Sequence, residues 1–559
     1  MSAKRKKVKR AAGVGRRCNE RKAKRPRKKG KASVRKRRKA KSRMVGKARS
    51  RSFALALARA EAKARRLEAE RVSEHAHRML LESVEAVAER RDIVLKEPDR
   101  WFTRLRKVSL ADLLCFLVFS SEDTTGAELC DYFGWDGTAP SVSALTQLRK
   151  KLTPEAMPEL LREFLSRFDP VPYLDKYRLV AADGTGVGIA RNADKRTEVT
   201  SNQYGRHRNE MHPTMSFDPM RGNFEDMVVQ GSKVQNEPVA LCELIDRFEP
   251  GKAPDGRTLV ALWLADRNFA TYNVLCHLME AGACFALRCR DEWARRVLGD
   301  DFAGGEFDVT VDRYFTRSRR VDGRSRPDEP ELYRVIDSAT PFDALPKGSR
   351  GEYHMRLRFV RVAIPAAKDG DAEDENEPSG TGGDAATAKA DAGEKAKADG
   401  KGEKDDKDEE DKNDKKDHWI TIVTNLTAEE GFDAQALVAL YGVRWAEEVG
   451  IRYLKHTCGM RDPRCRDYER AEQEIWGRVI LASACALATA GVEKPEPGPK
   501  RERAVDVTMA FKAFLRMLAG RADVNLEAVC GRFTHSVRPG RHFERRKSKE
   551  SRVRLCYRH

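Results

Sequence analysis

Apolar and polar residues follow one rhythm in the first third of the chain and another beyond it. From Phe53 to about Val94 the run is rich in Ala, Leu, Glu and Arg and lacks Gly and Pro, the composition of one long helix or two. Leu110 to Phe119 and Ser141 to Phe168 continue that pattern, with breaks at Gly134–Pro140 and at Pro154. Residues 53–168 are therefore expected to be all-α. Shorter and more continuous apolar runs follow. Tyr177-Arg-Leu-Val-Ala-Ala-Asp183 predicts a strand that ends on a carboxylate, and Leu259 to Asp266 predicts another. Met211 to Met220 and Phe224 to Gln230 predict two strands about a glycine turn, Pro238 to Phe248 and Tyr272 to Glu280 helices, and Cys284 to Arg290 a further strand. Strands followed by helices, with acids at strand ends, indicate an α/β domain. Residues 305–365 are β-rich, and the β pattern resumes at Trp419-Ile-Thr-Ile-Val-Thr. Between them, Ala366 to Asp417 carries 19 acidic and 10 basic residues and almost no large apolar ones. That run cannot bury a core and is expected to be a disordered excursion from a sheet. A helix bearing Glu448, a helical stretch from Ala471 to Ala490 and a basic end from Arg532 to His559 complete the chain.

The helix bearing Glu448 has the most informative polar positions. With successive residues about 100° apart, Tyr441, Arg444, Glu448 and Lys455 project from one face within about 60°. Leu440, Val443, Ile451 and Leu454 flank that seam on one side, and Val438, Trp445 and Val449 on the other. The opposite sector is small (Ala439, Gly442, Ala446, Gly450), which allows close approach to a flat partner such as a sheet. Glu447 falls in the first apolar stripe, and the pattern gives no account of it. Charged stripes are commonly solvated ion-pair faces, but this one lies between apolar flanks, as a site would. A phenol, a guanidinium, a carboxylate and an ammonium in line suit a metal ion flanked by phosphates. Asp183 or Asp266 alone would read as a turn or cap residue. Two strand-end acids and a third inside such a seam suit divalent ions that clamp a phosphoryl transfer.

Length and charge narrow the class. The 559 residues suggest three or four domains of about 150 residues each. The net charge is +21, yet residues 1–50 hold 25 Lys or Arg against Glu20 alone, which leaves the remainder near −3. The tail reads as a polyanion-binding arm or a solubilising end; without aromatics or a fold it adds affinity and little sequence specificity. The basic start is not followed by an apolar segment, so no signal peptide is expected, and Val479 to Val492 is too short and Ala-rich to span a bilayer. Twelve cysteines form no CxxC pair and no Cys/His set at zinc spacing; Cys276, Cys284 and Cys289, in apolar runs, are expected to be buried thiols of a reducing cytoplasm. Gly184-Thr-Gly186-Val-Gly188 lacks a following Lys-Ser/Thr and is a weak nucleotide-loop signal. The basic residues of Ala144 to Lys151 suit phosphate docking, and a plain helical scaffold equally.

Together these residues resemble the DDE transposases of bacterial insertion sequences, specifically the insertion sequence four family. That family's Tyr-x2-Arg-x3-Glu-x6-Lys signature is matched without deviation by Tyr441, Arg444, Glu448 and Lys455. Val180-Ala-Ala-Asp183-Gly-Thr resembles its first acid, in a strand and followed by a small or hydroxyl residue, and Asp266-Arg-Asn-Phe269 its second. The resemblance covers about residues 100–490. It implies an RNase H-like α/β core in two parts, 169–300 and 431–492, interrupted by a β-rich insertion, 301–430, that contains the disordered run 366–417. A disordered basic tail, 1–52, and a helical DNA-binding domain, 53–168, would precede the core, and a helical and basic region, 493–559, would follow it. Asp183, Asp266 and Glu448 are then the catalytic acids and the ligands of Mg²⁺, as two ions, with Mn²⁺ able to substitute. Tyr441, Arg444 and Lys455 would contact DNA. Trp419 stands where family members carry a strand Trp that stacks a flipped base, although a core aromatic would look the same. The implied activity is cut-and-paste cleavage and strand transfer at terminal inverted repeats, by a homodimer on double-stranded DNA, at the nucleoid in a bacterial cytoplasm. The acidic run before Trp419 and the long basic arm depart from the family pattern. An RNase H-like nuclease without strand transfer shares the fold logic, but the Tyr-Arg-Glu-Lys spacing argues against it. A non-enzymatic basic DNA-binding protein would leave the near-neutral body and the three acids unexplained. The presence of all three acids argues against a degenerate transposase copy.

Deleting residues 1–50 should lower affinity for any duplex and flatten its salt dependence, because the arm's phosphate contacts release counterions. Binding to random DNA with unchanged affinity and salt slope would assign the arm another role.

Overall fold

The computed structural model describes residues 72–537 apart from 105–106, 121–122, 201–206, 323, 364–418, 462, 493–500 and 522–523. The expected basic tail, the start of the first helical run, the acidic run 366–417 and the basic end beyond 537 lie outside the described residues. The first part is helical: α1 (Val72–Glu89), α2 (Arg91–Val94), α3 (Leu110–Phe119), α4 (Thr125–Phe133), α5 (Val142–Arg149) and α6 (Ala156–Ser166). Ser109 starts α3 with a capping box, its hydroxyl accepting from the Asp112 amide while the Asp112 carboxylate accepts from the Ser109 amide.

A mixed sheet follows. Its strands are β1 (Tyr177–Gly184), β2 (Val187–Ile189), β3 (Glu198–Thr200), β4 (His207–Asp218), β5 (Asn223–Gly231), β6 (Val260–Ala265), β7 (Cys284–Cys289), β8 (Phe307–Thr316), β9 (Tyr333–Val335), β10 (Glu352–Ala363) and β11 (Trp419–Thr424). Helices α7 (Glu237–Arg247), α8 (Tyr272–Glu280) and α9 (Asp291–Leu298) connect strands, and α10 (Ala434–Tyr441), α11 (Trp445–His456) and α12 (Tyr468–Ala490) follow β11. The chain closes with β12 (Arg503–Val505), α13 (Val507–Leu518), α14 (Leu526–Arg532) and β13 (Thr534–Ser536). In the sheet, β4 lies between β5 and β1 in antiparallel pairing, while β1, β6 and β7 run parallel. Then β11, β10 and β8 extend the sheet antiparallel beyond β7. The expected β-rich insertion thus prolongs one continuous sheet.

Period-two alternation sorts the strand side chains onto two faces. Val180 and Ala182 pack with Trp263, Ala265 and the helices α7 and α8, whereas Leu179 and Ala181 pack with Leu262, Leu264, Ile422 and the α10 residues Leu437 and Leu440. The helices of residues 72–168 have no core of their own. Their apolar faces join Met211, Met215 and Phe217 of β4 and much of α12 in a single cluster. α3 and α12 cross so closely that a Cβ on Gly477 would lie 2.2 Å from the Leu117 carbonyl oxygen. The same junction takes Arg149, which is buried and donates to Glu474 Oε1 at 3.0 Å and Gln473 Oε1 at 3.1 Å. That pairing removes Arg149 from the residues expected to dock phosphate. Cys276 and Cys289 are buried and Cys284 half-buried, all three as free thiols. Among the described residues no helix is long and apolar enough to cross a membrane.

Gly477→Ala should destabilise the protein by about 2–3 kcal/mol, the upper range for overpacking, because the obstructing atom is backbone and cannot rotate away. A denaturant midpoint equal to wild type would show that the two helices can separate freely.

Candidate active site

Register and alternation bring the two strand-end acids together. β1 and β6 pair in parallel with Ala182 beside Ala265, so Asp183 and Asp266 are neighbours just beyond that pair. Both continue the alternation of Ala181 and Leu264 and so face α10 and α11. Phe269, fully buried, anchors the loop after Asp266.

The signature segment is not one regular helix. α10 begins at its cap Asp433 and ends at Tyr441, a 3₁₀ turn covers Gly442–Arg444, and α11 starts at Trp445. The 100° spacing therefore fails locally, but the four side chains still meet the strand ends. The flanks differ from the expectation of two apolar stripes about a seam. Ile451 and Leu454 are buried, whereas Trp445 and Val449 are 57% and 58% exposed. The seam thus runs along the rim of the core. The expected close approach occurs at Gly450, where a Cβ would lie 2.9 Å from the Phe217 ring on β4; Gly442 faces solvent.

Each signature residue reaches an acid or its neighbour. The Tyr441 hydroxyl donates to Asp266 Oδ1 at 3.2 Å. Arg444 donates to Glu448 Oε1 at 2.6 Å and pairs with Asp183 Oδ2 at 3.6 Å. Lys455 Nζ donates to Thr185 Oγ1 at 2.5 Å. Burial raises the Asp183 carboxyl to about 6; its own neighbouring amide and Arg444 pull it down, and Glu448 and Asp266 push it up. Burial also lowers the Lys455 ammonium from its ordinary value. Among the described residues no group of three His, Cys, Asp or Glu side chains stands placed to hold a metal ion. Instead Arg444 sits between Asp183 and Glu448 as a fixed cation. Three carboxylates served by one guanidinium form a hard-oxygen donor set with an excess of negative charge, which fits a divalent cation.

Glu447 also belongs to this cluster, although its place in an apolar stripe gave no sign of it. It is fully buried, neither carboxyl oxygen has a hydrogen-bond partner, and burial followed by the nearby Asp183 charge pushes its carboxyl well above the ordinary range. Trp419 is not brought into the cluster. It lies at the same edge of the sheet, where β11 pairs with the end of β10, but in step with Thr421 and Val423 on the opposite face. There the Arg361 guanidinium lies 4.9 Å from its ring centre.

A carboxyl with a raised pKa holds its proton more tightly in the folded state. Its contribution to stability is therefore complete at low pH and is lost as pH rises through about 6. Without divalent cation, Asp183→Asn should gain about 2–3 kcal/mol over wild type between about pH 4 and pH 8. Parallel stability curves for the two proteins would place Asp183 in water.

A family profile described as transposase DDE domain matches residues 174–484. No match is found among curated proteins. Among solved structures, the cryo-EM piggyBac transposase synaptic complex with hairpin DNA aligns with 9% identity over 80% of this chain and 79% of its own, at a TM-score of 0.35, a likeness too distant to fix the fold. The matched span exceeds half the chain and encloses Asp183, Asp266, Tyr441, Arg444, Glu448 and Lys455. The chain belongs to the transposase DDE domain family.

Proposed function

We propose that this transposase cuts the ends of an insertion sequence and joins them to target DNA by a Mg²⁺-dependent cut-and-paste route. The observation that carries the reading is the meeting of Asp183, Asp266 and Glu448 around Arg444 at the ends of two parallel strands. Asp183, Asp266 and Glu448 would hold the metal, as two ions in the full complex, with Mn²⁺ as a substitute. The cation supplies charge stabilisation at the attacking and leaving oxygens. Arg444, Lys455 and the Tyr441 hydroxyl would hold phosphate oxygens of the DNA end, each by a bond it now makes to a protein oxygen. Two features support an RNase H-like core: the antiparallel β5-β4-β1 meander, and the parallel β1-β6-β7 set that follows it. The signature spacing supports placement in the insertion sequence four family, with double-stranded terminal repeats as substrate and a homodimer as the DNA-bound form. Trp419, at the same sheet edge but on the opposite face, would stack a flipped base rather than hold phosphate.

Asp183→Asn, Asp266→Asn and Glu448→Gln should each abolish cation-dependent nicking of a duplex carrying the element's ends while leaving its binding intact. Wild type should then join pre-cut ends to a plasmid; nicking without joining would favour a plain nuclease. Arg444→Ala and Lys455→Ala should each weaken binding of the cut end by about 1.5–3 kcal/mol, the range for hydrogen bonds to charged groups. Cleavage by any of the acid variants at the wild-type rate would remove that acid from the site.

A further inference from the structure

The Asp183-Gly-Thr-Gly stretch has its glycines for a reason unrelated to turns or nucleotides. A Cβ on Gly184 would lie 2.6 Å from both His212 Nε2 and Glu237 Oε1. Those two atoms are themselves 2.7 Å apart, the imidazole donating to the carboxylate. The His212–Glu237 pair therefore lies directly against the backbone that follows Asp183. His212 is buried on β4, and Glu237 opens α7 just after the cap Asn236. The bond to His212, outweighing partial burial, holds the Glu237 carboxyl below its ordinary range. Glu237 also bonds the Asn268 side chain and feels the charge of Asp266. Asn268, two residues beyond Asp266, accepts in turn from Arg290 at the end of β7, at 3.1 Å. A single carboxylate thus reaches the backbone beside one strand-end acid and the loop of the other. It does so from the face opposite α10 and α11, where neither a DNA phosphate nor an ion held by the three acids would contact it.

We infer that the His212–Glu237 pair, with Asn268, sets the separation of Asp183 and Asp266 and so the affinity of the acid cluster for its divalent cation. This role rests on the proposed reading of those acids as metal ligands. Glu237 is a positioning residue: it acts through Gly184 and through the Asp266 loop. Partners that orient metal ligands without touching the ion typically change metal affinity by about 10–100-fold when removed.

The test is direct Mn²⁺ binding to the full-length, DNA-free protein, read from the resonance of free Mn²⁺. Glu237→Ala should raise the dissociation constant on the order of tenfold. Glu237→Gln, whose amide oxygen can still accept from His212, should restore part of the affinity. Asn268 is exposed, so Asn268→Ala will fold and should weaken Mn²⁺ by a smaller factor, which keeps the inference testable if Glu237→Ala does not fold. In cleavage assays the half-saturating cation concentration should rise in parallel, while the rate at saturating cation returns towards wild type. Wild-type Mn²⁺ affinity in both alanine variants would overturn the positioning role and leave the reading of the acids standing. A wild type that binds no Mn²⁺, or binds it equally after Asp183→Asn, would overturn both.

Discussion

Asp183 and Asp266 sit side by side at the ends of neighbouring parallel strands, and in water two such charges would push the strand ends apart. Around them the protein supplies what that repulsion requires. Arg444 is driven below the surface to stand between Asp183 and Glu448, and the Tyr441 hydroxyl donates a hydrogen bond to Asp266. Partial burial strengthens every one of these interactions, because a guanidinium and a carboxylate attract more strongly where water is scarce. It also makes the cluster incomplete. One fixed positive charge faces three acids, and a fourth carboxyl, Glu447, is buried beside them and pushed well above the ordinary range by burial. A site assembled this way carries uncompensated negative charge before any ligand arrives.

Much of this was legible in the residues, and the exceptions share a cause. Strands β1, β6 and β11 and helix α8 lie where their apolar runs predicted them, because burial on both faces or on one stripe leaves a local mark. The convergence of Tyr441, Arg444 and Glu448 was visible for the same reason. The 3₁₀ turn at Gly442–Arg444 was not, since it changes rotation without changing composition. Glu447 was unexplained and the role of Arg149 left open because their surroundings come from remote segments: the strand end at Asp183 for one, Gln473 and Glu474 on α12 for the other. The face on which Trp419 lies follows from the pairing register, which no single strand reveals on its own. Gly184 likewise records contacts made by His212 and Glu237, far from it in sequence.

The apolar faces of the early helices share one core with β4 and α12. The stretch after α11 is tied into the same body. Arg464 donates to Glu128 on α4 and to Ser120 at the end of α3, both at 2.7 Å, and its amide donates to Glu474. The segment leaving the signature helix is thereby pinned between α4 and α12. Charged hydrogen bonds at this partly buried seam therefore tie the early helices to the segment that follows α11.

The close crossing of α3 and α12 also sets a schedule for the growing chain. Leu117 leaves the ribosome long before Gly477, by roughly 20–70 s at synthesis rates of about 5–20 residues per second. Throughout that interval the apolar faces of the early helices lack the partner that covers them. A product that stops short of α12 would keep those apolar faces exposed, where they favour aggregation over folding.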